Sequence, residues 1–262
     1  MRPTVSLLPA LPGRTPVISF GSRPLVCTEG SSLTSVRPTR AIASNQDMHV
    51  EAVNVGEVRA IRIGDRTITT AIWKHPVSEP VAVEGVNVRG DDQADRTVHG
   101  GPDKAVYAYA LEDTAWWESE LRRPFGPGAF GENLSLRGVD VSRARIGERW
   151  ALDSTLLEVR QPRLPCFKLG LRHSDPLLPR RFARAGRPGA YLAIIEPGTV
   201  SAGDRVEIID RPDHDVTVAL VAHILLHDHS RSHELLAATA LPAEWRAWAH
   251  ETSHLIPRRR RR

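Results

Sequence analysis

Residues 58–73 read VRAIRIGDRTITTAIW, two runs of alternating side chains on either side of Gly64-Asp65. Neighbouring side chains on a strand point to opposite faces, so Arg59, Ile61 and Ile63 share one face, and Ile68, Thr70 and Ile72 share another. A Gly-Asp pair between such runs supplies the turn, which predicts a β-hairpin. β-rich runs recur at 81–88, 105–110, 148–152, 156–160, 190–195 and 205–209, with Gly or Pro in nearly every gap. Six to eight short strands with few helices predict a mainly β fold, a closed or strongly curved β-barrel in which closure removes exposed edges. Peripheral helices are predicted at 112–122 and 179–185. In the first, Trp116, Trp117 and Leu121 cannot all face one side, and one Trp is left partly exposed.

Four segments follow from composition. Residues 1–47 are rich in Pro, Ser, Thr and Arg, with Glu29 and Asp47 their only acids, and are predicted to be a disordered N-terminal extension. Met48 is followed at once by strand-like sequence, which favours an upstream extension over a targeting peptide. The β domain is assigned to 48–211 and a helical extension to 212–257, with helical runs at 216–226, 232–240 and 242–251. Leu235, Leu236, Leu241, Trp245 and Trp248 would form its apolar face, against the barrel or a second subunit. Arg258 to Arg262 form a basic, solvated tail.

The formal net charge is +4, but the two ends carry it. Removing their ten cations and two anions from 35 and 31 leaves 25 against 29, so residues 48–257 are mildly acidic. A nucleic-acid groove needs many phosphate-neutralising cations on one surface, and this count argues against specific nucleic-acid binding. No apolar run reaches the roughly 18 residues of a membrane-spanning helix. Of the two cysteines, Cys27 lies in the extension, so no structural disulfide is expected and a reducing, cytoplasmic compartment fits best.

Cys166 is therefore the only thiol of the β domain. It lies in Gln161-Pro-Arg-Leu-Pro-Cys-Phe-Lys-Leu-Gly170, a loop stiffened by Pro162 and Pro165. A thiolate ligates soft metals or attacks electrophiles, and Arg163 and Lys168 are near enough in sequence to favour that form. The plainer reading is a small buried hydrophobe. A second cluster runs from Gly90 through His99-Gly100-Gly101-Pro102-Asp103-Lys104. Its paired glycines free backbone amides to approach an anion, and the alternative is a tight surface turn before a strand. A third is Phe130-Gly131-Glu132-Asn133-Leu134. In the C-terminal extension, His223, His227, His229 and His233 are crowded, with the first two one helical turn apart; a shared metal ion and a polar helix joint both fit.

These motifs occur in a recognisable order: His-Gly-Gly with Lys-Ala-Val-Tyr, Phe-Gly-Glu-Asn-Leu, Ile146-Gly-Glu-Arg149, Pro-Arg-Leu-Pro-Cys-Phe-Lys-Leu, and Gly198-Thr-Val-Ser-Ala-Gly-Asp-Arg205. The series resembles the MOSC domain, particularly its bacterial YiiM-like branch, over about Val58 to Ile209. The resemblance implies a β-barrel that binds molybdenum cofactor (Mo-molybdopterin), with Cys166 as protein ligand to molybdenum. It places His99, Gly100, Gly101, Lys104, Asn133, Arg163, Lys168 and Arg187 around the cofactor, where amides and cations suit the anionic pterin phosphate. Related bacterial proteins reduce N-hydroxylated compounds such as hydroxylaminopurines. On that reading His99 donates the proton, since imidazole titrates near neutral pH. Pyridoxal phosphate is linked to this chain by family association only. A homodimer is expected by analogy.

The chain has neither a nucleotide-binding Gly-rich fingerprint nor a four-Cys cluster for an iron–sulfur centre, so electrons are expected from a separate reductase. Two other functions carry the same motifs. Cys166 could carry a persulfide for sulfur transfer, or the domain could be a non-enzymatic carrier of the cofactor.

Overall fold

A computed structural model describes residues 48–92 and 100–255 of the chain. The predicted N-terminal extension, His99 and the terminal arginines lie outside the described residues.

In chain order the first strands are β1 (His49–Val55), β2 (Arg59–Ile63), β3 (Arg66–Thr70), β4 (His75–Val77), β5 (Val81–Glu84), β6 (Asn87–Val88), β7 (Val106–Ala110) and β8 (Leu134–Arg137). They are followed by β9 (Arg149–Leu152), β10 (Thr155–Pro162), β11 (Ala190–Glu196), β12 (Gly198–Val200) and β13 (Val206–Asp210). The α-helices are α1 (Leu111–Leu121), α2 (Phe167–Arg172), α3 (Leu178–Ala185), α4 (Val218–Leu226) and α5 (Ala243–Leu255). An eight-stranded sheet runs β13-β9-β10-β11-β7-β8-β1-β4, beside a three-stranded sheet β12-β5-β6 and the pair β2-β3.

Within the large sheet only β7 and β8 are parallel. A parallel pair needs a crossover, and α1 lies in that connection. Its Trp117 is buried while Trp116 stays half-buried, as their adjacency on one helix requires. The N-cap of α1 is Ala110, with no side-chain cap.

The closed barrel expected from the strand count is not formed as a continuous ladder. A single bridge joins His49 to Arg205. Around it Val50 N donates to Asp204 O at 2.8 Å, Gly203 N to Val50 O at 2.7 Å and Val206 N to Met48 O at 2.9 Å. Pairing stops there because a turn at residues 202–203 interrupts the approach to β13, and β1 shifts register between Val50 and Ala52.

The predicted hairpin forms with Ile61 opposite Ile68, turning at Gly64, whose φ of 57° is the left-handed conformation that glycine adopts without strain. It is not part of the large sheet, however, and Ile63 remains 40% exposed. One apolar cross-strand pair among Arg and Thr residues offers too little area to hold the ribbon on the core.

The main core joins strand residues such as Val50, Leu134, Trp150, Leu157 and Leu192 to Val218, Val221, Ile224, Leu235, Leu241 and Ala249. The C-terminal segment thus shares the hydrophobic core of the β domain. Trp245 and Trp248 pack against that core as expected, whereas Leu236 is exposed. The helix predicted at 232–240 is instead a 3-10 helix over His229–Ala237, opened by Asp228 accepting from Ser230 N. A second, aromatic core contains Tyr107, Tyr109, Trp117, Phe130, Leu169 and Phe182, and it floors the region described next. Among the described residues no helix is long and apolar enough to cross a membrane.

Candidate functional site

Strand β10 ends at Pro162, and Arg163-Leu164-Pro165 lead to Cys166, the N-cap of α2, with an extended backbone. Cys166 is a free thiol and half-buried, so it is not sealed in hydrocarbon. Arg163 is buried beside it, its guanidinium carbon 5.5 Å from the ring centres of both Tyr107 and Phe182. Its Nη1 has no hydrogen-bond partner. Burial works against the Arg163 charge, but Tyr107, Tyr191 and Cys166 around it more than offset that, and its pKa rises. Burial also pushes the Tyr107 and Tyr191 phenols up. A buried guanidinium with an unused donor beside an accessible sulfur is an arrangement for holding an anion.

The Gly101–Lys104 cluster is brought to the same end of β10. Gly101, at φ 99°, opens a 3-10 turn over Pro102–Lys104. Gln161 Nε2 donates to Asp103 O at 3.2 Å, and Arg160 pairs with Asp103 at 3.6 Å. That fixes the turn two residues before Arg163. Lys104 and Lys168 are both half-buried, Lys168 on the first turn of α2.

Asn133 is placed differently. Its Oδ1 accepts from Tyr107 N at 3.1 Å, and Nδ2 donates to Asn54 O at 3.3 Å and Asp91 Oδ2 at 2.9 Å. Both amide hydrogens are engaged by protein, so Asn133 braces the sheet. Asp91 also accepts from Gly56 N at 2.9 Å and Lys74 Nζ at 2.6 Å, forming a buried ion pair. Adjacent Glu132 accepts from Gly128 N at 2.7 Å, Phe130 N at 2.9 Å and Ser135 Oγ at 2.8 Å. Burial lowers the Lys74 pKa and raises that of Glu132. Gly128 allows this loop, since a Cβ there would meet Lys74 O at 2.8 Å.

Arg187 is likewise committed to the scaffold. It pairs with buried Asp113 and lies 4.8 Å over the Trp116 ring, while its carbonyl accepts from Tyr109 Oη at 3.0 Å. Burial raises the Asp113 pKa, and Arg187 opposes that rise. The structure therefore assembles Arg163, Cys166, Lys168 and the Gly101–Lys104 turn around the end of β10, and assigns Asn133 and Arg187 to internal pairs. Among the described residues no group of three or more His, Cys, Asp or Glu could hold a metal ion, so the histidine cluster of the C-terminal segment forms no such site. His227 Nε2 instead bonds Ala183 O at 2.8 Å.

Asp91, Tyr107 and Glu132 lie within motifs that the sequence singles out, but their roles as buried partners were not foreseen, and Lys74, Arg172 and Tyr191 carried no signal at all. Arg172 and His173 close α2 and line a cleft with Trp73 and Arg123; a second cleft lies around Pro76 and Val81, and neither includes Cys166.

The MOSC domain pattern matches residues 95–207. The protein YflK of Bacillus subtilis is 34% identical over 212 residues, covering 79% of this chain and 96% of that protein. A protein named "Reductase" from Gibberella moniliformis is 32% identical over 196 residues, covering 72% of this chain but only 34% of its own length. The crystal structure of YiiM from Geobacillus stearothermophilus superposes with a TM-score of 0.66 at 31% identity, covering 78% of this chain and 98% of that one. The motif order, the mainly β fold with its helices, and the match to YflK and to the Geobacillus stearothermophilus YiiM over nearly their whole length agree, and the chain belongs to the MOSC domain family as a YiiM-like member.

Proposed function

We propose that this protein is a molybdenum-cofactor-dependent oxidoreductase that reduces N-hydroxylated compounds, N-hydroxylated purine bases among them, with Cys166 as the protein ligand to molybdenum. The observation that carries this reading is the pairing of a free, half-buried Cys166 with the buried Arg163, whose Nη1 lacks a partner. A soft sulfur donor and an orphaned cationic donor suit a group that combines a thiophilic metal with an anionic phosphate. MOSC family membership and the relative named a reductase support it.

When bound, the cofactor supplies the two-electron chemistry for which this chain has no side chain of its own. The protein's part is to bind and orient. Cys166 provides the thiolate, Arg163 and Lys168 offset negative charge, and the Gly100-Gly101 amides with Lys104 offer further donors at the same end of β10. His99 is assigned the proton delivered as the N–O bond opens. Two electrons and two protons convert the N-hydroxyl compound to the amine and water, and a separate reductase supplies the electrons.

The test uses protein made in a cofactor-competent host and assayed with N-hydroxylaminopurine and a chemical electron donor. Wild type is expected to form the aminopurine, and Cys166→Ser to fall to background while remaining folded. Undiminished turnover by Cys166→Ser refutes the assignment. A stable added sulfur on Cys166 without molybdenum would assign sulfur transfer instead.

A further inference from the structure

The far end of α2 carries a second arrangement that Cys166 chemistry does not use. A cleft of about 300 Å³ is lined by Trp73, Arg123, Phe125, Ala129, Arg172 and His173, among others. Arg172 donates to Ile72 O and, at 3.4 Å, to Lys74 O, which fixes its guanidinium against the segment carrying Trp73. Arg123 Nη1 donates to His173 O at 3.1 Å, and its guanidinium carbon lies 4.9 Å from the Phe125 ring centre. Arg123 Nε and Nη2 are buried without partners. Donors left unmet in this way cost free energy unless something outside the chain accepts from them.

No carboxylate lines the cleft. The nearby acids are already engaged: Glu118 accepts from Phe125 N at 2.7 Å, Asp175 accepts from Leu177 N at 2.9 Å and pairs with Arg181, and Glu132 is bound by the Gly128 and Phe130 amides. Burial lowers the Arg172 pKa, the Glu132 charge opposes that shift, and Arg59 and Arg163 add smaller positive contributions at Arg172. His173 adds no charge at neutral pH, since burial holds its pKa at about 4 while its Nε2 bonds Ala129 O at 2.8 Å. The cleft is thus lined by two guanidinium groups together with the Trp73 and Phe125 rings. Guanidinium forks match the oxygens of a carboxylate or phosphate, and Trp73 and Phe125 suit a flat ring.

We propose that this cleft binds a planar aromatic or heteroaromatic compound bearing an oxyanion, a carboxylate or a phosphate, with the oxyanion on Arg123 and the ring between Trp73 and Phe125. Cys166 does not line this cleft, and the inference does not depend on the function proposed above.

Titration of the full chain with benzoate, its neutral isostere benzamide, and inorganic phosphate tests this, read by calorimetry and by the Trp73 indole N–H resonance, which is identified by its absence from Trp73→Phe. Benzoate is expected to bind and to move that resonance, with benzamide and phosphate each about tenfold weaker or more. Arg123→Gln, checked for folding by its melting curve, is expected to weaken benzoate by about tenfold or more. The wild-type comparison of benzoate with benzamide needs no variant, so a misfolded Arg123→Gln leaves the test intact. Equal affinity for benzoate and benzamide, an unmoved Trp73 signal, or no saturable binding up to about 10 mM overturns the proposal.

Discussion

At Asp91 the carboxylate is met on all sides by the chain itself, from Gly56 N, Lys74 Nζ and Asn133 Nδ2, and the group is buried. At Arg163 the burial is similar, yet one guanidinium nitrogen has no partner and the neighbouring thiol is free. Both regions contain buried charge, so burial does not distinguish them. What differs is the bookkeeping of donors and acceptors. Where the chain satisfies itself, the polar residues fix the fold, and the donor left over at Arg163 is what the proposed ligand site rests on.

That contrast has measurable consequences. Asp91→Ala leaves Lys74 charged and buried without its partner, and a loss of about 3–5 kcal/mol is expected, read as a fall in the urea midpoint. An unchanged midpoint would remove Asp91 from the scaffold. Gly128→Ala pushes a Cβ toward Lys74 O in a backbone conformation with φ 79°, and about 1–3 kcal/mol should be lost by the same measurement.

His173 lies between these extremes. Its pKa is about 6.5 when unfolded and about 4 when folded, so the unfolded chain takes up a proton first as the pH falls. Stability from this group is complete above about pH 6.5, declines as pH falls toward about 4 and levels off below it. His173→Gln can keep a donor to Ala129 O, and it should flatten that part of a stability–pH curve; a curve of unchanged slope would contradict the burial of the neutral ring. Cys166→Ser should change stability least, within about 0.5 kcal/mol in cofactor-free protein, because the half-buried thiol braces no other element.

How much of this was legible in the sequence follows from the distance over which each partner acts. Alternation around Gly64-Asp65 revealed the β2–β3 hairpin, because its pairing is local. Its position off the large sheet was not legible, since alternation says which face is apolar and nothing about what covers it. Helix α2 escaped notice because six residues after a proline show too little of a helical period. The Arg163–Cys166 pair was visible because both lie in one short loop. Arg187 was placed beside the cofactor, whereas its partner Asp113 lies 74 residues away and is found only by folding. The internal partner of Asn133 was hidden for the same reason, its acceptor Asp91 being 42 residues distant.

In the proposed function the Cys166 sulfur holds molybdenum. Elemental analysis of wild type and Cys166→Ser, purified from the same cofactor-competent host, addresses it directly. Molybdenum near one per chain in wild type and a fall of about tenfold or more in the variant is the predicted result. Equal molybdenum in both proteins, or none in either, would contradict it.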